Sequence, residues 1–150
     1  MTSTNKSIAG VVTALLLLAA FAFAAPRPNK SAQTVPPLPA IFGNARYVYV
    51  TSYDGDQFDP NLFPEDRQAI GAVQSAIRKW GKLTVVYQYH DADIVLMVMS
   101  RPSEDALAVY DAHGWPRSQY LWRMTGRNGL QSSETPLVTD FQKAFELIAK

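Results

Sequence analysis

The sequence predicts an α/β domain of the α+β kind. One mixed sheet of about five strands carries two helices on one face, in the order β-α-β-β-β-β-α. Three observations predict it. Short runs rich in Val, Ile and Tyr recur between polar breaks, at Arg46–Ser52, Leu83–Tyr89, Asp93–Ser100, Ala106–Ala112 and Gln119–Met124. Two longer stretches, Pro64–Trp80 and Pro136–Ala149, repeat apolar residues at helical spacing. The run from Asp93 to Ser100 is apolar at both alternating phases, as a strand covered on both faces must be.

Each element has a local reason. Arg46–Ser52 alternates Tyr47 and Tyr49 with Val48 and Val50, a strand pattern. Tyr53–Asn61 is dense in Asp, Gly, Pro and Asn, so it is a loop. Pro64, Glu65 and Asp66 open the first helix, because Pro suits a first turn and carboxylates suit its positive end. Ile70, Val73, Ile77 and Trp80 form its apolar stripe, and Gly81 ends it. A helical crossover then returns Leu83–Tyr89 parallel to the first strand. The short connection His90-Asp91-Ala92 predicts antiparallel pairing of the second and third strands. Ala106–Ala112 and Gln119–Met124 read as a hairpin with His113-Gly114-Trp115-Pro116 in its turn. Thr135 stands as N-cap of the last helix with Pro136 after it, and Leu137, Phe141, Phe145 and Ile148 mark the buried stripe.

A chain of 150 residues suits one domain. Residues 1–24 read as a signal peptide. Lys6 precedes an apolar run from Ile8 to Ala25 with Leu15–Leu18 at its centre, and Ala22-Phe23-Ala24 supplies the small residues of a cleavage site. Removal would export the product to the periplasm or beyond. If the segment were kept, about 18 apolar residues would just span a bilayer, and this would be the chain's one membrane contact. Residues 25–44 read as a Pro-rich linker and 45–150 as the folded domain.

Composition removes several functions. With no Cys there is no disulfide scaffold, thiolate metal site, Cys nucleophile or lipidated Cys. Lys and Arg number 14 against 13 Asp and Glu, so the balance is not that of a nucleic-acid binder. No G-x-S-x-G, G-x-G-x-x-G or Walker A sequence occurs, and no cofactor is expected.

Trp80-Gly81-Lys82, the strand opening Ala92-Asp93-Ile94, and Val109-Tyr110-Asp111 with Leu121-Trp122 in the second hairpin arm carry a resemblance. Over about 45–150 the chain is similar to a group of small exported bacterial proteins of unknown function. More loosely, it resembles the small α/β domain of TolB amino-terminal and CsgG-like envelope proteins. The resemblance implies an envelope or secreted module that binds or assembles, and it assigns no catalytic residue. The chain departs from the CsgG-like pattern in having no lipidated Cys.

Two sets of residues are candidates for chemistry. Asp54, Asp56 and Asp59 could ligate a divalent cation, in a loop between strand and helix where α/β sheets often bind ligands. Counted from Asp54, an EF-hand would need Gly where Asp59 stands and an oxygen ligand where Phe58 stands, so that motif fails although Glu65 falls at its last position. Turn chemistry explains the same residues. His90 with Asp91 and Asp93, and His113 near Trp115, sit in turns where polar side chains are expected anyway.

Two functions of different class remain. One is a non-catalytic exported module binding a protein, peptide or glycan, or a second copy of itself. The other is a small metal-dependent or acid-base hydrolase using Asp54, Asp56, Asp59 and His90. Binding is favoured, because no motif exceeds what turn chemistry accounts for. Its expected surface is the sheet face away from the helices. If Val48 and Val50 lie beneath the helices, Tyr47 and Tyr49 point the other way, joined by Tyr87 and Tyr89 and by Trp122 with its in-phase neighbours Tyr120 and Met124.

Overall fold

Alternating β-branched and aromatic residues make Tyr47–Ser52 a strand (β1), and the Pro-led apolar stripe makes Pro64–Trp80 a helix (α1). Strands Thr84–Val86 (β2), Ile94–Ser100 (β3), Asp105–Asp111 (β4) and Trp122–Gly126 (β5) follow, then helix Pro136–Glu146 (α2). Single 3-10 turns occupy Ala40–Asn44 and Tyr89–Asp91. This computed structural model describes residues 34–130 and 135–150; the expected signal peptide lies outside the described residues.

The five strands form one mixed sheet ordered β2-β1-β3-β4-β5. β1 is parallel to β2 and to β3, and β3, β4 and β5 are successively antiparallel. The predicted fold class and element order are those observed. The expected pairing of the second and third strands is not, because β1 lies between them. Asp93 supplies the reason. Its N–H donates to the Tyr47 carbonyl at 2.9 Å, and its carboxylate accepts the N–H groups of Arg46 at 2.8 Å and Tyr47 at 3.0 Å. These bonds dock the start of β3 on the start of β1, so the chain leaving β2 crosses β1 through the Tyr89–Asp91 turn.

Both helices cover the same face. Val48 and Val50 of β1, Leu96 and Val98 of β3, Leu107 of β4 and Trp122 and Met124 of β5 pack with Ile70, Val73, Ile77, Phe141 and Phe145. A second, smaller cluster on the opposite face joins Tyr49, Val95, Ala108, Tyr110 and Ala112, flanked by Val86, Met97 and Trp115. β3 therefore has apolar cover on both sides, as its sequence requires.

Three local readings need correction. Within the expected linker, Leu38 and Phe42 are buried in the helix-side core, and the Trp122 indole N–H donates to the Pro36 carbonyl at 2.8 Å. Pro-rich composition concealed a two-residue apolar anchor. Thr135 holds the N-cap position with φ of 38° and no capping bond from its side chain; instead its carbonyl accepts the N–H groups of Val138 and Thr139 at 2.9 and 3.1 Å. α2 ends at Glu146, three residues early, where the chain turns to bring the Lys150 N–H to the Gly43 carbonyl at 3.1 Å. Gly81 does end α1, at φ of 77°, with its N–H on the Ile77 carbonyl.

The Trp80 ring meets Phe145 edge-on at 5.5 Å and donates its N–H to Glu146 at 3.0 Å. That bond, followed by the nearby Lys82 ammonium, holds the Glu146 carboxyl below the usual carboxylate range. A depressed folded pKa adds stability above the unfolded value, which is lost as pH falls through the folded one. In a carboxyl-resolved NMR titration, Trp80→Phe and Lys82→Gln should each bring Glu146 back toward an ordinary glutamate.

Phe141 is fully buried and touches the Trp80, Trp122 and Phe145 rings, whereas Trp80 is only half-buried. Phe141→Ala should cost about 3–5 kcal/mol in urea unfolding, and Trp80→Ala clearly less.

Candidate functional site

The acidic loop after β1 is held by its own hydrogen bonds. Asp56 accepts the N–H groups of Phe58 at 2.8 Å and Asp59 at 3.1 Å, and Asp59 accepts that of Asn61 at 2.8 Å. Arg67 donates to the carbonyl oxygens of Gln57 and Asp59. Asp54 pairs with Arg101 at 2.5 Å. The three carboxylates face different partners, and among the described residues no group of three or more acidic or His side chains is placed to hold a metal. His90 is exposed, 3.8 Å from Asp91, in the turn before β3. The Asp loop follows β1 at the other end of the parallel strands, so the two candidate sets do not meet. His113, also exposed, pairs with Asp111 at 3.0 Å.

Behind the loop lies a buried polar cluster. Asp66, in the first turn of α1, is fully buried. It accepts the Ser52 hydroxyl at 2.9 Å, the Ser100 N–H at 2.7 Å and the Arg101 guanidinium at 3.0 Å. Ser100 donates its hydroxyl to Asp105, which also accepts the Leu130 N–H. The two acids raise the Arg101 pKa above its ordinary value, Asp66 more than Asp54. Every carboxylate here is used to join elements.

The aromatic candidates separate into two groups. Tyr47 and Tyr49 do share the open face, Tyr47 exposed and Tyr49 buried with its phenol pushed up mainly by burial. Tyr87 lies beyond the end of β2 against Phe58, and its hydroxyl accepts from Arg78 of α1 at 2.8 Å. Tyr89 sits in the 3-10 turn with its ring on His90. Trp122 and Met124 face the helices, opposite to expectation. The reason is phase: Val85 rather than Val86 faces the helices in β2, and β5 begins at Trp122, whose ring packs on Phe141.

Other residues build a groove on the open face. Met97, Met99, Ala106 and Ala108 form its floor, Tyr53, Tyr110 and Tyr120 its walls, and Arg123 its rim, enclosing about 220 Å³. The register explains it. Met97 pairs with Ala108, and Ala108 with Arg123, so one cross-strand row runs from thioether through methyl to guanidinium. Alanines between tyrosine-bearing segments leave the hollow. Tyr110 stacks edge-on with Trp115 at 4.8 Å and Tyr120 at 6.4 Å. Burial pushes its phenol up, opposed by the Arg123 charge. The sequence signal for this groove was the alternation of Ala106 and Ala108 with Leu107 and Val109.

No family model matches the chain, and no curated protein matches it. Among solved structures, it is similar to the dodecamer of a PelC point variant from Paraburkholderia phytofirmans at 14% identity, over 78% of this chain and 96% of that one, with a TM-score of 0.37. It is also similar to the solution structure of uncharacterised lipoprotein B from Nitrosomonas europaea, at 14% identity, over 76% of this chain and 81% of that one, with a TM-score of 0.31. At these distances the functional reading rests on the chain's own residues. Among the described residues, no helix is long and apolar enough to cross a membrane.

Removing Asp66 tests the buried cluster. Asp66→Asn should cost about 1–3 kcal/mol, since an amide nitrogen in place of one carboxylate oxygen leaves a donor among Ser52, Ser100 and Arg101 without its acceptor. The half-exposed pair is worth less, so Asp54→Asn should cost under about 1 kcal/mol, both read from denaturant melts.

Proposed function

We propose that this chain is a non-catalytic exported module that captures an extended segment of a partner protein on the open face of its sheet. The observation that carries this is the apolar groove between Tyr53 and Tyr120, which are 73% and 51% exposed. At about 220 Å³ it is smaller than the 300–1,000 Å³ typical of small-molecule pockets, and it suits one or two side chains of a partner. Tyrosine walls around such a hollow are what interface anchors use. Export rests on the signal-like segment 1–24.

The hydrolase reading has less support. Acid-base or metal-assisted hydrolysis needs its groups converging on one cleft. Asp54, Asp56 and Asp59 are each committed to a separate partner, and His90 stands at the far end of the strands.

The test is binding of the purified protein to a peptide array, beside the double variant Tyr53→Ser/Tyr120→Ser. Both side chains are exposed, so the melting temperature should hold while affinity for the retained peptides falls about tenfold or more. Unchanged affinity in the variant would remove the open face as the binding surface. If instead the parent sediments as a dimer and the variant as a monomer, the partner is a second copy of this chain.

A further inference from the structure

β5 is an edge strand: among the described residues it pairs only with β4. The opposite edge, β2, is just three residues long. An edge strand presents backbone N–H and C=O groups that another extended segment can take up. Residues 122–126 carry no Pro and no inward-pointing charge; their one charged side chain, Arg123, keeps the edge from like-charged strands and leaves it to an acidic one.

The charge around this edge is one-sided. From Ala112 to Leu130 the chain has Arg117, Arg123 and Arg127 and not one Asp or Glu. Among the described residues none of these arginines forms a salt bridge. Because the whole chain is nearly neutral, this is a local excess. Tyr120 and Leu121, just before β5, are 51% and 43% exposed, and the groove floor begins one strand further in, at Ala106 and Ala108.

We infer that the β5 edge takes an acidic, extended segment of a partner protein. The segment adds as a strand beside β5, lays an apolar side chain over the groove and sets carboxylates against Arg123 and its neighbours. This rests on the open-face reading and adds the edge, the backbone pairing and the partner's charge. Neighbouring strands lie about 4.8 Å apart, so a large side chain on the added strand reaches across β5 toward Ala108. A polysaccharide would match the arginines but has no amide ladder for the edge.

The probe is a short synthetic peptide of alternating Glu and Phe, added to the full chain. Controls replace Glu by Lys, or N-methylate alternate backbone amides so that charge and side chains stay but pairing fails. The acidic peptide should bind, weaken as salt rises, and slow amide exchange across Trp122–Gly126. Arg123→Glu and N-methylation should each weaken it about tenfold or more. Arg123 is exposed, so the variant should melt with the parent, and Arg127→Glu gives a second charge reversal. No binding of the acidic peptide, equal binding of the Lys or N-methylated peptide, or unprotected β5 amides would overturn the inference. So would tighter binding of polygalacturonate that Arg123→Glu abolishes. If Tyr53→Ser/Tyr120→Ser abolishes peptide binding while charge reversal and N-methylation do not, the open face stands and this inference falls; if none of the changes matters, both fall.

Discussion

A fully buried carboxylate has to be satisfied, and Asp66 is satisfied by three groups from two parts of the chain. Ser52 closes β1, Ser100 closes β3, and Arg101 follows it. The first turn of α1 can therefore sit in one place only, over the carboxyl ends of the two parallel strands. Arg101 extends the constraint outward to Asp54 and lies over the Phe63 ring at 5.1 Å. Ser100 extends it inward through Asp105 to the Leu130 N–H, just before the last helix. The loop between β1 and α1 is held at both ends by this cluster. Tyr53 stands at the start of that loop, its N–H on the Val98 carbonyl at 3.2 Å, so the position of the groove wall follows from the buried charge.

The two faces of the sheet are built from different side chains. Towards the helices the strands send mostly Val, Ile and Leu, with Trp122 and Met124 from β5, and these fill the core under α1 and α2. Away from them they send mostly Ala, Met and Tyr, with Val86 and Val95 among them. Alanines at alternate positions of β4 leave room that branched residues would have filled. Methionine beside them adapts its shape to what enters. One strand thus serves a packed core with one phase and an adaptable surface with the other.

The elements were legible in the sequence because their signals are local. Apolar period and Pro at the first turn give α1 and α2 within a few residues, Gly81 marks the end of α1, and alternation gives the strands. What failed depends on contacts distant in sequence. Connection length suggested that β2 and β3 pair, but the Asp93 carboxylate on the Arg46 and Tyr47 amides placed β1 between them. Alternation alone points Tyr87, Tyr89 and Trp122 to the open face, but the strand phase runs the other way, and for the tyrosines the strand ends at Val86. Leu38 and Phe42 were hidden by the prolines around them. For Asp66 the sequence showed a helix-terminal acid and had no way to show its burial. The groove was half visible, since Ala106 and Ala108 alternate in plain sight, but Tyr53 joins it only through tertiary structure.

Charge tells the same story at the scale of the whole surface. Positive and negative residues nearly balance in number, yet they are not used alike. Asp54, Asp56, Asp59, Asp66, Asp93, Asp105 and Asp111 each accept a hydrogen bond or ion pair that shapes the chain locally or joins elements. Asp54 and Asp66 have their charge offset by Arg101, while Asp56, Asp59, Asp93 and Asp111 keep theirs but are fixed away from β5 or at its neighbour's end by the amides they accept. The arginines flanking and within β5 form no salt bridge among the described residues. A nearly neutral protein can still present a basic edge, because residues 112–130 hold Arg117, Arg123 and Arg127 and no acid, while the Asp residues lie elsewhere in the chain. That asymmetry separates the acidic loop, which is conspicuous in sequence and structural in role, from the β5 edge, which is plain in sequence and among the described residues pairs on one side only.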